Sequence, residues 1–251
     1  MSYRPISLLD TLGKLFEKIL LSRILHEVST RGLLRDEQFR FRPKHSTALQ
    51  LARLAERVYR NFGERRLTGA VFLDVAKAFD TVWVDGLLYK LTTLNFPSYL
   101  VKTVSLYLTR RTFKASFQAA TSTTRRMQAG VAQCGIISPI LFSLNVNDMP
   151  SPSCHIELAL YADDTAVIAT SRHPALLVKY LETYLNSLEW WLSEWRIAIN
   201  VSKSSATLFA KTGWCFLKPR TVQLFGEPIK WLDETRYLGV TLDKRLTWSK
   251  H

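Results

Sequence analysis

Apolar residues along this chain follow two patterns. One recurs every three or four residues, and the other forms short unbroken runs. In the first segment Leu8, Leu12, Leu15, Phe16, Ile19 and Leu20 recur at helical spacing, with Asp10, Lys14, Glu17 and Lys18 between them. This predicts an amphipathic helix, with Ser7 as N-cap and Asp10 as its acidic partner. A second helix is expected over 46–61 on Leu49, Leu51, Leu54 and Val58. A third starts near Asp85 and runs through Leu87, Leu88, Leu91 and Leu94 until Asn95 and Pro97 break it, and a fourth covers 98–108. Residues 138–149 read as a helix with Ser138 as N-cap and Pro139 at the first helical position, and 174–196 as a long helix. The run 69–74 is nearly all apolar, as in a buried strand, and 156–170 holds two apolar runs around a polar tip, a hairpin pattern. An antiparallel pair is expected at 112–119 and 123–129. Short strands are expected at about 205–210, 222–225, 229–231 and 236–242, with Gly226-Glu227 as a turn. Helices and strands mix without strict alternation and without an internal repeat, so the fold class is α+β.

Composition narrows the partners. The 251 residues suffice for one large domain or two small ones, and 47% hydrophobic content excludes a disordered chain. A net charge of +13 and a pI near 9.8 point to a polyanion, either nucleic acid or an anionic membrane surface. Cys134, Cys154 and Cys215 are widely spaced and form no C-x-x-C pair, which argues against a zinc module or a disulfide framework and fits a reducing, intracellular setting. No run of about 18 apolar residues appears, so no membrane span is expected. The charged N-terminal segment does not read as a secretory signal, and the expectation is a protein that is not secreted.

Candidate chemistry lies where acids end apolar runs. Asp74 closes the 69–74 strand, and Asp163 and Asp164 sit at the tip of the 156–170 hairpin. A carboxylate directly after a buried strand is costly unless solvated, paired or metal-bound. The two sites converge if their strands are neighbours in one sheet. Oxygen-only ligands suit Mg²⁺ or Mn²⁺, and two such ions can clamp the attacking and leaving oxygens of an in-line phosphoryl displacement. An Asp-Asp pair taken alone is equally an ordinary turn.

The context of that pair is specific. Tyr-Ala-Asp-Asp (161–164) between apolar strands resembles the catalytic hairpin of reverse transcriptases. Further blocks follow the same order. YRPISLL (3–9), QFRFRPKHST (38–47), AVFLDVAKAFDTVW (70–83), GVAQCGIISPILF (130–142), INVSKS (199–204) and YLGVTLD (237–243) are similar to motifs of non-LTR retrotransposon reverse transcriptases, especially the jockey-like elements of arthropods. The resemblance implies a right-hand polymerase: an antiparallel palm sheet with helices, plus fingers, and a thumb largely outside the chain. It assigns 1–68 to fingers, 69–84 to palm, 85–129 to fingers and palm, 130–235 to palm, and 236–251 to the primer-grip region and the start of the thumb. It also implies an RNA-directed DNA polymerase that adds dNTPs to a DNA primer on an RNA template with two Mg²⁺ (or Mn²⁺) ions. The expected setting is the nucleus or cytoplasm, with no membrane partner; the oligomeric state stays open.

By position, the resemblance makes Asp74, Asp163 and Asp164 the catalytic carboxylates and metal ligands, with the Val75 carbonyl as a further ligand. It turns the N–H groups of 76–79 toward the triphosphate and makes Phe79 a gate against a ribose 2′-OH. Gln133 becomes a nucleotide contact, and Lys203 a general acid for the leaving pyrophosphate. Arg42 and Lys44 hold the triphosphate or template backbone, and Tyr237, Leu238 and Gly239 belong to the primer grip. Asp80 is read as the partner of a backbone or basic group. Trp190, Trp191 and Trp195 are read as core or thumb-facing packing.

The chain departs from that family at Arg40, where Gly is usual, at Asp85, where His is common, and at Ala132, Cys134 and Gly135, which replace Pro, Gly and Ser. A Cβ at 134 is costly if the backbone there needs a positive φ, and Gly135 next door is a candidate to take over that conformation. These replacements leave a second reading open: a catalytically inactive remnant that only binds nucleic acid.

Overall fold

The computed structural model describes residues 9–40, 45–117, 120–211 and 219–248. In chain order its elements are α1 (Thr11–Thr30), α2 (Thr47–Gly63), β1 (Leu67–Asp74), α3 (Val84–Thr93), α4 (Ser98–Thr109), β2 (Thr112–Phe113), β3 (Ser116–Phe117), β4 (Ala120–Thr121), β5 (Arg125–Arg126), α5 (Ser138–Asn145), β6 (Ile156–Tyr161), β7 (Asp164–Ser171), α6 (Pro174–Glu194), β8 (Ser205–Phe209), β9 (Val222–Leu224), β10 (Glu227–Trp231), β11 (Glu234–Tyr237) and β12 (Val240–Asp243). They form two compact units, each built from two stretches of chain: Met1–Arg35 with Lys77–Asp148, and Asp36–Ala76 with Met149–His251.

The second unit holds a six-stranded sheet in the order β6-β7-β1-β8-β10-β9. β1 pairs antiparallel with both β7 and β8. Its residues are buried from Leu67 to Leu73 because both faces are covered. On one face Ala70 and Phe72 pack with Leu54 and Val58 of α2 and with Tyr237, Leu242 and Leu246. On the other, α6 comes so close that a Cβ at Gly69 would collide with Leu177. This double coverage explains why the strand reads as unbroken apolar sequence rather than an alternation.

The first unit gathers α1, α3, α4 and α5. Its buried stripe on α1 is Glu17, Leu20, Ile24 and Val28. The expected amphipathic face is therefore corrected: Leu12, Leu15, Phe16 and Ile19 are exposed, while Glu17 is 0% exposed. The rotation is set by Glu17, whose carboxylate accepts hydrogen bonds from the Tyr107 hydroxyl and the Ile136 N–H. A buried carboxylate is tolerated when it is hydrogen-bonded in this way.

Several ends also differ from expectation. Asp10 is itself the N-cap of α1, accepting from Gly13 N–H at 2.6 Å, while Ser7 lies outside the described residues. Ile137, not Ser138, caps α5, which stops at Asn145. The expected pair 112–119/123–129 forms two separate two-residue ladders, β2 with β5 and β3 with β4. The strand expected over 236–242 is a hairpin, and Glu227 lies inside β10 rather than in a turn. Both hairpins turn on a residue followed by glycine with positive φ at each, Phe225-Gly226 and Leu238-Gly239. This is the geometry that matches strand twist in a two-residue loop.

Candidate active site

The carboxylates stand at one end of the central strands of the second unit. Asp74, the last residue of β1, is the register partner of Asp164, the first residue of β7. β6 and β7 are joined by a two-residue tip, Ala162-Asp163, closed by the pair Tyr161–Asp164. Ala162 has φ +57°. A left-handed alanine costs about 1–2 kcal/mol and persists only where its surroundings hold it.

Gln38 supplies that hold. Residues 37–40 run alongside β6, with Phe39 N–H donating to Leu160 C=O at 2.9 Å and Leu160 N–H to Glu37 C=O at 3.0 Å. The Gln38 side chain, 1% exposed, accepts from Ala162 N–H at 3.4 Å and from Arg40 N–H at 3.3 Å. The sequence carries no signal for this role of Gln38 beyond its membership in the 38–47 motif. Arg40 lies over the Tyr161 ring, 5.6 Å from its centroid.

Beyond Asp74 the strand continues against 198–200. Val75 and Ile199 form a single antiparallel bridge. The flanking groups make its bonds: Ala76 N–H to Ala198 C=O and Asn200 N–H to Asp74 C=O, both 2.8 Å. The carbonyl of Val75 therefore points to the other edge, the side of β1 that carries β7. The Ala76 N–H is already committed, which corrects the expectation that it faces a triphosphate. Asn200 also builds the turn carrying Lys203, accepting from Ser202 Oγ at 2.7 Å and Lys203 N–H at 3.3 Å. Ser204 Oγ links this turn to β1 by accepting from Asp74 N–H at 3.1 Å.

Asp74, Asp164 and Lys203 line one pocket of about 350 Å³, together with Lys230, Arg236 and Tyr237. Burial, reinforced by the charges of Asp163 and Asp74 and opposed by Arg40, raises the Asp164 carboxyl above the usual carboxylate range. Desolvation is the larger cause, and the neighbouring carboxylates act in the same direction. Among the described residues no three His, Cys, Asp or Glu side chains stand close enough together to hold a metal ion. The donor set nonetheless fits a hard divalent cation: the acids offer oxygen alone, and their mutual repulsion is what a cation relieves.

Phe79 and Gln133 belong to the first unit. Val131 N–H donates to Phe79 C=O at 2.7 Å and Gly130 N–H to Val82 C=O at 2.8 Å, tying the two motifs together. Gly130 has φ +88°, and a Cβ there would meet the Asp80 backbone. The half-buried Phe79 ring rests on Phe142, with centroids 5.2 Å apart. Gln133 Nε2 donates to both carboxylate oxygens of Asp80 at 2.9 Å. Asp80 thus serves a side-chain amide rather than the backbone or basic group expected. Cys134 adopts φ +69°, so the replacement of glycine does fall on a left-handed position. Gly135 does not take that conformation over. It is instead enclosed, since a Cβ there would lie 2.8 Å from Ser138 Oγ and 2.9 Å from Glu17 Oε1.

Of the remaining expected residues, Tyr237 lines the same pocket as Asp74 and Asp164. Arg42 and Lys44 lie outside the described residues. Tyr237 is buried, packs its ring at a tilt against Phe72 and donates to Ala159 C=O at 3.3 Å, while Leu238 is half-buried against the core and Gly239 is exposed. Trp191 is in the core, while Trp190 is 82% exposed.

A sheet that is antiparallel except where β10 runs parallel to β8, covered by helices and with acids at one end of neighbouring central strands, is a polymerase-palm architecture. Residues 1–242 match the family described as "Reverse transcriptase (RNA-dependent DNA polymerase)", and the chain belongs to it. It is 36% identical to the Drosophila melanogaster protein named "Probable RNA-directed DNA polymerase from transposon BS" and 36% identical to the "RNA-directed DNA polymerase from mobile element jockey" of the same species. Each match covers all of this chain and 28% of the relative, so the chain spans under a third of those proteins' length. Among solved structures, a Candida tropicalis telomerase bound to a telomeric RNA fragment matches with a TM-score of 0.62 at 12% identity, over 95% of this chain and 37% of the telomerase. A Candida albicans telomerase matches with a TM-score of 0.58 at 9% identity, over 94% and 37%. At such identities the likeness is one of fold. The relatives agree with the non-LTR element kinship implied by the motif order.

Proposed function

We propose that this chain is the catalytic core of an RNA-directed DNA polymerase of a non-LTR element, acting inside the cell on an RNA template, a DNA primer and dNTPs. The observation that carries this reading is the register pairing of Asp74 with Asp164, with Lys203 on the same pocket. The primer 3′-oxygen forms a bond to the α-phosphorus of the dNTP, and the bond from that phosphorus to the β-phosphate bridging oxygen breaks. The 3′-OH proton passes to solvent, and Lys203 donates a proton to the departing pyrophosphate. Two divalent cations, held by Asp74, Asp163, Asp164 and the Val75 carbonyl, would supply charge neutralisation at the attacking and leaving oxygens. Phe79 excludes a ribose 2′-OH by bulk, and Gln133 contacts the nucleotide. The test is Mg²⁺-dependent dNTP addition to a DNA primer on an RNA template by the chain and by Asp163→Asn. Equal activity in both removes Asp163 from the mechanism.

A second reading, a nucleic-acid-binding remnant without polymerase activity, is favoured by two observations: the left-handed Cys134, and Arg40 beside Tyr161 and Asp164. RNA binding without extension, persisting after Cys134→Gly with Ala132→Pro, supports it.

A further inference from the structure

The end of the sheet opposite Asp74 gathers basic and aromatic side chains. β1 begins at Leu67 opposite Ser171, the last residue of β7, and β6 begins at Ile156 opposite Ala169. The segments entering β1, leaving β7 and entering β6 therefore meet, and they carry Arg65-Arg66, Arg172-His173 and His155. This end lies about 24 Å along β1 from Asp74, at roughly 3.4 Å per residue.

An open pocket of about 390 Å³ lies here, lined by Arg66, His155, Thr170, Ser171, Arg172 and Tyr180. None of these is an acid. Glu64 takes the Nε of Arg66 at 3.1 Å, which leaves the terminal amino groups of that guanidinium to donate elsewhere. Glu157, at the same end of β6, is held by Arg57. Among the described residues Arg172 pairs with no carboxylate. Ser171 Oγ accepts from His173 N–H at 3.1 Å, and Thr170 Oγ1 accepts from Asn61 Nδ2 at 3.0 Å, so both hydroxyls keep their own proton to donate. α6 starts beside Arg172 without a side-chain cap, adding the positive end of a 21-residue helix. His155 and Tyr180 stack face to face, with centroids 4.2 Å apart and planes at 14°.

We propose that this pocket is a second nucleic-acid site, which holds one phosphodiester of a single strand between Arg66 and Arg172 while a neighbouring base stacks on the His155–Tyr180 pair. Guanidinium and hydroxyl donors with no acceptor charge select a phosphate, and the aromatic floor selects a nucleotide over a bare anion. The strand's source is RNA or DNA, which share this chemistry. The site rests on the nucleic-acid part of the function proposed above, not on polymerisation.

The test uses the full chain and a short single-stranded RNA carrying 4-thiouridine, photo-crosslinked and mapped by peptide, with a 4-thiothymidine DNA of the same sequence as the second arm. Crosslinks are expected in peptides containing His155 or Tyr180. Arg66→Gln with Arg172→Gln should abolish these crosslinks while those elsewhere persist, and should make the salt dependence of single-strand binding shallower by about 0.7, the value for the one phosphate that the two guanidiniums share. Tyr180→Leu leaves the charges in place. It should lose the crosslink with the salt slope unchanged. Absence of crosslinks here, their persistence in the double variant, or a double variant that loses only binding to anionic phospholipid vesicles overturns the proposal. Crosslinks here without primer extension overturn the polymerase reading alone.

Discussion

Asp74 and Asp164 face each other as register partners across β1 and β7, which brings together two acids that lie far apart in the chain. The antiparallel pairing runs unbroken from Leu67–Ser171 to this final pair, so the site is the end of a ladder rather than a loop encounter. Fixing charge this way has a cost, which shows in the raised carboxyl of Asp164.

That cost predicts a pH dependence. The folded state binds the Asp164 proton more tightly than the unfolded chain does, so the wild type gains relative stability at acid pH and loses it as pH rises through the raised value. Asp164→Asn removes the charge. Its melting temperature should match the wild type below the usual carboxylate range and exceed it at neutral pH. Thermal melts across pH check this, and a gap that narrows toward neutral pH contradicts it.

Two single changes that each restore the usual family residue should act in opposite directions. Cys134→Gly relieves a left-handed Cβ and should stabilise by about 1 kcal/mol. Gly135→Ser forces a Cβ against Ser138 Oγ and Glu17 Oε1 and should destabilise by about 1–3 kcal/mol. Denaturant unfolding of both variants reads the signs directly.

Asp80 positions Gln133 by taking both of its amide bonds at 2.9 Å. Asp80→Asn offers the amide a donor as well as an acceptor and so loosens its orientation. Steady-state extension should show a raised KM for dNTP with kcat much less affected, whereas a general loss of fold would lower both.

Arg40 stands where the related motifs carry glycine, and its charge opposes the elevation of Asp164. A guanidinium at the carboxylates also opposes a divalent cation. Arg40→Gly should therefore lower the Mg²⁺ concentration that gives half-maximal thermal stabilisation, measured by melting at increasing Mg²⁺. An unchanged midpoint would show that Arg40 does not compete.

Much of this was legible in the sequence, for identifiable reasons. β1 could be read because both its faces are covered, and the 156–170 hairpin because its apolar runs flank a polar tip. Motif order then aligned Asp74 with Asp163 and Asp164. What escaped depends on partners remote in the chain. The turned face of α1 follows from Tyr107 and Ile136 meeting Glu17. The brace of Gln38 on Ala162 and the Asp80–Gln133 pair join residues from separate motifs. Local periodicity carries no record of such meetings. At Cys134 the replacement of a glycine is a local signal, but the sequence leaves open whether the backbone there needs a positive φ, and the structure supplies the answer.

The central claim is that the acids at this strand end perform nucleotidyl transfer. Its most direct test is extension of a DNA primer on an RNA template with dNTPs and Mg²⁺, by the wild type and by Asp74→Asn, with thermal melts confirming that both are folded. The account predicts extension by the wild type and a rate at least about a hundredfold lower in the variant, the scale expected when a charge-stabilising group is lost. Equal rates, or a folded wild type that binds RNA and extends nothing, would contradict it.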